Sequence, residues 1–366
     1  MDTLAVIVNY KSADMTLRAV RSVLDAESLG PVQVVVVDNT GETEEAARLN
    51  RELPSVVRLE INSENIGFGR ASNRAVQEFH GEAILLINPD AILLAGCLKR
   101  LQKTLFACRR AGAVSSRLFW DETLRFYLPS SYPPPSLIFQ DLLEAVLPEA
   151  PISRFLSRVW RCHSIKVWRS KGPVRVRNLS GGLVLLKAKA VKAAHGLFDP
   201  RFFLYFEDTD LFLRIKKAGF TLLVEPRAQA VHNYDQCGQE NLGQKRSIMA
   251  QSRQRFAEKY CRGWRRGANR LISPIRGLSG SVRRSLAPAH LTRPFVLKVP
   301  KHLQGGWLFE VSPNANFIPS AGRFGSGPWM DFPEACWRLL APGHYFGRLG
   351  SPSRLGGFEQ IVSWKV

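Results

Sequence analysis

The stretch Val32–Thr40, VQVVVVDNT, decides how the first third of this 366-residue chain is read. β-Branched residues crowd it, and such a run suits a strand buried on both faces, as in a parallel sheet. It stops at Asp38-Asn39, a polar pair at the strand's carboxyl end. Before it, Leu4–Val8 is a second strand. Ser12 then stands where an N-cap would open a helix to about Ala26, with Leu17, Val20 and Leu24 on one face. After it, Glu42–Glu45 opens a helix whose acids suit the positive end of the helix dipole. Val56–Ile61 and Ala83–Ile87 follow as strands, Ala71–Phe79 and Leu98–Arg110 as helices. This alternation predicts an α/β fold, Rossmann-like, with a mostly parallel sheet flanked by helices.

Beyond Leu118 the alternation fades. Residues 118–177 contain Pro133–Pro135 and predict an irregular basic insertion. Gly182–Leu186 and Thr221–Val224 then read as strands, and Ala188–Ala194, Asp208–Ala218 and Lys245–Lys259 as helices. After about residue 285, proline, glycine and aromatic residues separate the short runs Phe295–Val299, Trp307–Val311, Tyr345–Leu349 and Gln360–Val366. That pattern predicts a small C-terminal β-sandwich-like domain. The expected organisation is an α/β domain over 1–240, a basic helical segment over 241–284 and a β-rich domain over 285–366.

The net charge of +20 is uneven. Residues 154–177 hold eight Lys/Arg and no acid, and residues 245–284 hold twelve against Glu258, which leaves +1 for the rest. Two basic segments on a near-neutral body suit an anionic membrane surface, a diphosphate ligand or nucleic acid, and composition does not choose among them. With 45% hydrophobic and 22% charged residues the chain is no disordered polymer. No apolar run approaches the ~18–20 residues of a spanning helix. Asp2, Asn9 and Tyr10 interrupt the first apolar run, unlike a signal peptide. Six scattered cysteines without a CxxC pair predict free thiols in a reducing cytoplasm.

Four polar signatures follow the four predicted strands: Asn9-Tyr10, Asp38-Asn39, Asn65-Ile66-Gly67-Phe68-Gly69 and Asn88-Pro89-Asp90. Singly, each is as readily a turn or a cap. In register along the carboxyl edge of a parallel sheet they fall where ligands bind. Asn88 and Asp90, two apart after a buried strand, can turn both oxygens to one hard cation, or simply begin an Asn-Pro turn. Glu207, Asp208 and Asp210 cluster at a predicted helix start, with Arg214 four residues beyond Asp210. They read either as a solvated acidic helix end or as carboxylates tuned for general-base work in a dry cleft. His232 ends a further apolar run and becomes a ligand only if the fold carries it to Asp90. Gly181 and Gly182 relieve a tight approach or floor a sugar pocket.

Together the strings VIVNYK, VVVVDNT, NIGFGRASNRAV, LLINPDA, LSGGLVLLKAKAV, LFDPRFFLYFEDTDLFLRIKKAGF and AVHN resemble inverting glycosyltransferases of family 2, most closely rhamnosyltransferase-like bacterial members. They cover about residues 3–235 in family order. The resemblance implies the GT-A fold for the first domain, a nucleotide-sugar donor, a glycan or polyprenyl-diphosphate-linked acceptor in cell-surface polysaccharide synthesis, and a divalent cation, Mn²⁺ or Mg²⁺. It places Asn9 and Asp38 on the nucleotide, and Asn65, Gly67 and Asn73 along the donor. Asn88 and Asp90 face the metal with His232 as a late ligand, and Asp208 is the base. Gly181, Gly182, Glu207, Asp210 and Arg214 shape the acceptor side. Asn88 departs from the Asp of many relatives and removes one charge from the metal site. dTDP-rhamnose is the expected donor, or else a UDP-sugar. The basic segments would rest on the inner face of the cytoplasmic membrane. Two rival classes are a basic nucleic-acid-binding protein, which leaves the carboxylates unexplained, and a non-catalytic carbohydrate-binding assembly protein.

Overall fold

The computed structural model describes residues 1–131, 151–233, 242–260, 289–353 and 358–366. The chain divides into two compact units: Met1–Leu118 with Ser130–Tyr132 and Ser170–Tyr260, and Phe119–Pro129 with Pro133–Arg169 and Cys261–Val366.

In the first unit, β1 (Thr3–Asn9), β2 (Val32–Asp38), β3 (Val57–Ile61) and β4 (Ala83–Ile87) lie parallel in the order β3-β2-β1-β4. Helices α1 (Ala13–Leu24), α2 (Thr43–Glu52) and α3 (Phe68–Ala75) occur between successive strands. Every residue of β1 and β4 is buried, which explains why neither strand alternates in sequence. The chain continues through β5 (Ala91–Leu93), α4 (Cys97–Ala107), β6 (Ala111–Phe119), β7 (Val174–Val176), β8 (Leu183–Lys187), α5 (Ala188–Ala193), α6 (Glu207–Lys217), β9 (Thr221–His232) and α7 (Leu242–Tyr260). β8 runs antiparallel between β4 and β6, and β9 pairs antiparallel with β5 and β7. The fold is mixed α/β with a parallel core, as the alternation predicted.

Register brings the strand ends to one edge. Asn9 lies opposite Asp38, Asp38 opposite Ile61, and Ile87 opposite Leu183, so the turn before β8 reaches the carboxyl edge of β4. Three elements differ from expectation. α3 starts at Phe68, not Ala71, because Gly67 takes φ +87 as its N-cap. β6 went unread because glycine and two serines break its apolar run. β9 extends to His232 although Pro226 lies within it.

The second unit is an antiparallel sheet of Phe358–Lys365, His344–Gly350, Trp307–Ser312 and Ala321–Gly325, in that order. It is not a simple sandwich. The helix Pro151–Trp168 lays Ile165 and Trp168 on Leu308, on one face. Phe309, the next residue, points the other way to Phe126 and Phe295. A two-stranded sheet, Val296–Lys298 with Trp329–Asp331, completes the described strands of that unit besides short pairs. The stretch read as irregular thus contains an 18-residue helix. Trp307 and Trp337 are buried and Trp329 is exposed.

Neither basic segment presents an unbroken cationic face. In the helix Pro151–Trp168, Arg161 is buried against Glu310. In α7, Lys259 is bound to Asp199 and Asp210. Residues 261–284, with most of the second segment's arginines, lie outside the described residues. Cys97, Cys108, Cys162 and Cys336 are free thiols, while Cys237 and Cys261 are not among the described residues. Among the described residues no helix is long and apolar enough to cross a membrane.

Candidate active site

The carboxyl edge of β1 and β2 is organised by side-chain amides. Asn9 is fully buried, donates to Asp38 Oδ1 at 3.0 Å and Glu45 Oε1 at 3.1 Å, and accepts from Ser12 Oγ and Thr16 Oγ1. Its hydrogen-bonding capacity is used within the protein, so it shapes the edge and does not itself reach a nucleotide as expected. Glu45, read only as a helix-opening acid, also accepts the backbone N–H groups of Ser12 and Ala13 and so caps α1 from a neighbouring helix. Asp38 is fully buried. Its Oδ1 takes Asn9 and the Thr40 N–H, while Oδ2 is buried with no hydrogen-bond partner among the described residues. A buried carboxylate oxygen left in this state is costly unless a ligand supplies a donor.

A second amide network fixes the loop after β3. Asn39 donates to Asn65 Oδ1 at 2.8 Å and accepts from Asn62 and the Ile66 N–H, and Asn65 Oδ1 also takes the Gly67 N–H. Gly67 is required by its neighbours: a Cβ there would lie 2.5 Å from the Phe203 carbonyl oxygen. Asn73, expected along the donor, pairs with both backbone groups of Phe198, at 2.8 and 2.9 Å. It acts as a peptide-like tie between α3 and the segment before α6.

The fold brings His232 beside Asp90. β9 ends beside β5 with His232 opposite Ala91, and His232 Nε2 lies 3.1 Å from Asp90 Oδ1, both side chains buried. Carboxylate and imidazole are a donor set for Mn²⁺ or Mg²⁺-type ions. Their spacing fits neighbouring ligands each roughly 2.1–2.2 Å from one cation. Among the described residues no cluster of three or more His, Cys, Asp or Glu is placed to hold a metal ion. The half-buried Asn88 adjoins it, its backbone N–H on the Gly182 carbonyl at 2.8 Å.

Gly181 and Gly182 join this pair to Asp208. A Cβ on Gly182 would lie 2.5 Å from His232 Cε1, and one on Gly181 would lie 2.9 Å from Asp208 Cβ. The Gly181 N–H donates to Asp208 Oδ2 at 3.1 Å and the Thr209 N–H to Oδ1 at 2.6 Å. Since adjacent Cα atoms are ~3.8 Å apart, Asp208 and the Asp90–His232 pair flank one short stretch of backbone.

Asp208 and Glu207 open α6 after a strained turn. Tyr205 and Phe206 are both left-handed, φ +67 each, a conformation that costs a non-glycine residue roughly 1–2 kcal/mol. Glu207 is buried, and burial together with the adjacent Asp208 charge pushes its carboxyl up to about 8. Asp208 is raised as well, mainly by burial, but its two N–H donors favour the charged form. Burial thus raises both carboxyls, and the Glu207 carboxyl holds its proton up to about 8.

The native state binds this proton between the unfolded carboxyl value of ~4.3 and about 8, so stability falls as pH rises through that window. Glu207→Gln is expected to melt above the wild type at pH 8 and to lose its own share of the dependence, Asp208 keeping the rest. Melting curves of both proteins at pH 6 and pH 8 check this. A wild type that melts equally at the two values counts against it.

Asp210 and Arg214, expected on the acceptor side, are structural. Asp210 is fully buried and accepts from Arg214 Nε at 2.7 Å and Tyr260 OH at 2.6 Å, with Lys259 alongside. Arg214 also donates to the carbonyls of Ala194, Gly196 and Leu197. Its planar fork holds the segment before α6 and is not available to an acceptor.

Residues 4–159 of the chain match the model of glycosyl transferase family 2. Among curated proteins it is 29% identical over 243 residues to the N-acetylglucosaminyl-diphospho-decaprenol L-rhamnosyltransferase of Mycobacterium tuberculosis, in strains CDC 1551 / Oshkosh and ATCC 25618 / H37Rv alike, covering 63% of this chain and 76% of that protein. Similar solved structures include GalNAc-T7 with UDP, GalNAc and Mn²⁺, at TM-score 0.43 and 17% identity, covering 63% of this chain. The chain spans 42% of that protein's length. A mannosyltransferase from Pyrobaculum calidifontis in complex with GDP-Man and Mn²⁺ aligns at TM-score 0.42 and 15% identity, over 76% of each chain.

Proposed function

We propose that the protein is an inverting glycosyltransferase that moves L-rhamnose from dTDP-rhamnose to a hydroxyl of a polyprenyl-diphosphate-linked glycan. The donor and acceptor classes rest on the likeness to the mycobacterial rhamnosyltransferase. The mechanism rests on one observation: Asp208 and the Asp90–His232 pair flank the same two glycines.

In this reading Asp38 Oδ2 accepts a hydrogen bond from the nucleotide's base or ribose. Asp90 and His232 would hold a divalent cation, which would supply charge neutralisation for the diphosphate leaving group. Asp208, charged and held by Gly181 and Thr209 N–H groups, removes the acceptor's hydroxyl proton as the new bond forms at the anomeric carbon. Direct displacement of the diphosphate by the acceptor oxygen inverts the configuration at the anomeric carbon.

Thermal melting with dTDP-rhamnose, UDP-sugars and GDP-sugars, with and without Mn²⁺, tests this. A donor at ~100 times its Kd stabilises by about 2.7 kcal/mol. In a unit of this size that raises Tm by several degrees. The expected result is a shift with dTDP-rhamnose that grows with Mn²⁺. Gly182→Ala, which must displace the His232 ring, is expected to lose the Mn²⁺-dependent part. No shift with any nucleotide-sugar would reject the proposal.

A further inference from the structure

α7 was read from sequence as a basic helix for a membrane surface, yet its side chains face inward at one helical spacing. Ser252, Arg255, Phe256, Lys259 and Tyr260 stand at i, i+3, i+4, i+7 and i+8, a single stripe. Each meets the segment that carries Asp208. Ser252 Oγ donates to the Leu204 carbonyl at 2.7 Å and Arg255 to the Arg201 carbonyl at 2.6 Å. The Phe256 ring, itself buried, lies 5.4 Å from the Phe206 ring. Tyr260 donates to Asp210 Oδ1 at 2.6 Å, and Lys259 reaches both Asp199 and Asp210. These ties straddle the two left-handed residues: Leu204 precedes them, Phe206 is one of them, and Asp210 lies one turn into α6. A strained turn persists only where its surroundings hold it, and α7 supplies part of that hold.

We propose that Phe256 is a positioning residue for the reaction: packed on Phe206 at the centre of the α7 stripe, it holds the left-handed Tyr205–Phe206 turn and so keeps Asp208 against Gly181. The inference rests on Asp208 being the base. With Phe256 removed, Phe206 relaxes toward ordinary φ, the first turn of α6 moves, and the carboxylate leaves its place relative to donor and acceptor. Donor contacts at Asp38 and Asp90 lie on other elements and stay.

The test uses the full chain, dTDP-rhamnose, Mn²⁺ and a synthetic polyprenyl-diphospho-N-acetylglucosamine acceptor. Phe256→Ala is expected to lower kcat about 10- to 100-fold, the scale of a misplacement near 1 Å. The Kd for dTDP-rhamnose should stay within about threefold, and Phe256→Leu, which refills the space, should recover most of the rate. The deciding variant combines Phe256→Ala with Phe206→Gly. Glycine adopts the left-handed turn without strain, so the double variant should turn over several-fold faster than Phe256→Ala alone. A plain packing role predicts the reverse, since the second change enlarges the cavity. If Phe256→Ala does not fold, Ser252→Ala loosens the same turn by one hydrogen bond and should lower kcat several-fold at unchanged donor Kd. Wild-type kcat in the folded Phe256 or Ser252 variant, or a double variant slower than the single, overturns the clamp. Asp208→Asn assayed alongside separates the two ideas: turnover like the wild type overturns both, whereas an inactive Asp208→Asn beside fully active Phe256 variants overturns the clamp alone.

Discussion

Asp208→Asn is expected to lose ~10²–10⁴-fold in transfer rate while binding the donor as before. The substitution is nearly isosteric, and the amide oxygen can still accept the Thr209 N–H. The new amide nitrogen would then face the Gly181 N–H, at a cost near 1 kcal/mol for the lost hydrogen bond. That cost is small beside the rate loss, so Tm should move by a few degrees while turnover collapses. Asp38, Asp90 and His232 are untouched, and dTDP-rhamnose should still raise Tm in the presence of Mn²⁺. Glu207 is the obvious competitor, being adjacent, buried and acidic. Burial raises both carboxyls, but it is Asp208 that holds the Gly181 and Thr209 N–H groups beside the glycine pair next to Asp90 and His232. Single-turnover assays of Asp208→Asn and Glu207→Gln decide between them. An active Asp208→Asn beside an inactive Glu207→Gln would exchange the two roles.

What was legible in sequence follows the range of the interactions. The parallel strands could be read because burial on both faces writes itself as uninterrupted valine, leucine and isoleucine, as at Val34–Val37 and Leu85–Ile87. The strand-end residues Asp38 and Asp90 could be placed at one edge because parallel order fixes which end they occupy. The meeting of His232 with Asp90 depended on β9 running past Pro226 to pair with β5, and no local signal announces that pairing. Asn9, Asn73, Asp210 and Arg214 were assigned to ligands because residue type says nothing about whether a polar group's partners lie inside the protein. Each proves to be committed there, Asn73 to a backbone 125 residues away. Glu45 was passed over for the converse reason, since its three donors come from residues 32 to 36 positions earlier. The helix Pro151–Trp168 was hidden by its charge: Arg161 looked like surface and is core.

That buried arginine sets the largest stability effect expected in the second unit. Glu310, 1% exposed, sits opposite Arg348 on the neighbouring strand and accepts from both Arg348 and Arg161, at 2.8 Å in each bond. Arg348 continues to Ser157 Oγ and stacks over Phe317, and Arg161 continues to the Ser353 carbonyl. One carboxylate therefore joins the helix Pro151–Trp168 to two strands of the C-terminal sheet. Glu310→Ala leaves two guanidinium groups buried without their counter-charge, and breaking such a pair from one side costs roughly 3–5 kcal/mol. Urea unfolding should show that loss. Burial by itself would raise the Glu310 carboxyl, but Arg348 and Arg161 hold it below its ordinary value. Its folded value thus lies under the unfolded one, and its contribution is complete above the unfolded value of ~4.3 and lost as pH falls through the folded value. The wild type should weaken on acidification in a way that Glu310→Ala, already lacking the group, does not. The cost belongs to the orphaned charges and not to the missing contact area. Replacing all three residues at once, with Arg161→Met, Glu310→Leu and Arg348→Met, should therefore restore most of the stability that Glu310→Ala removes. A triple variant as unstable as the single one would show that the ion triad itself, and not the avoidance of unpaired charge, holds the helix to the sheet.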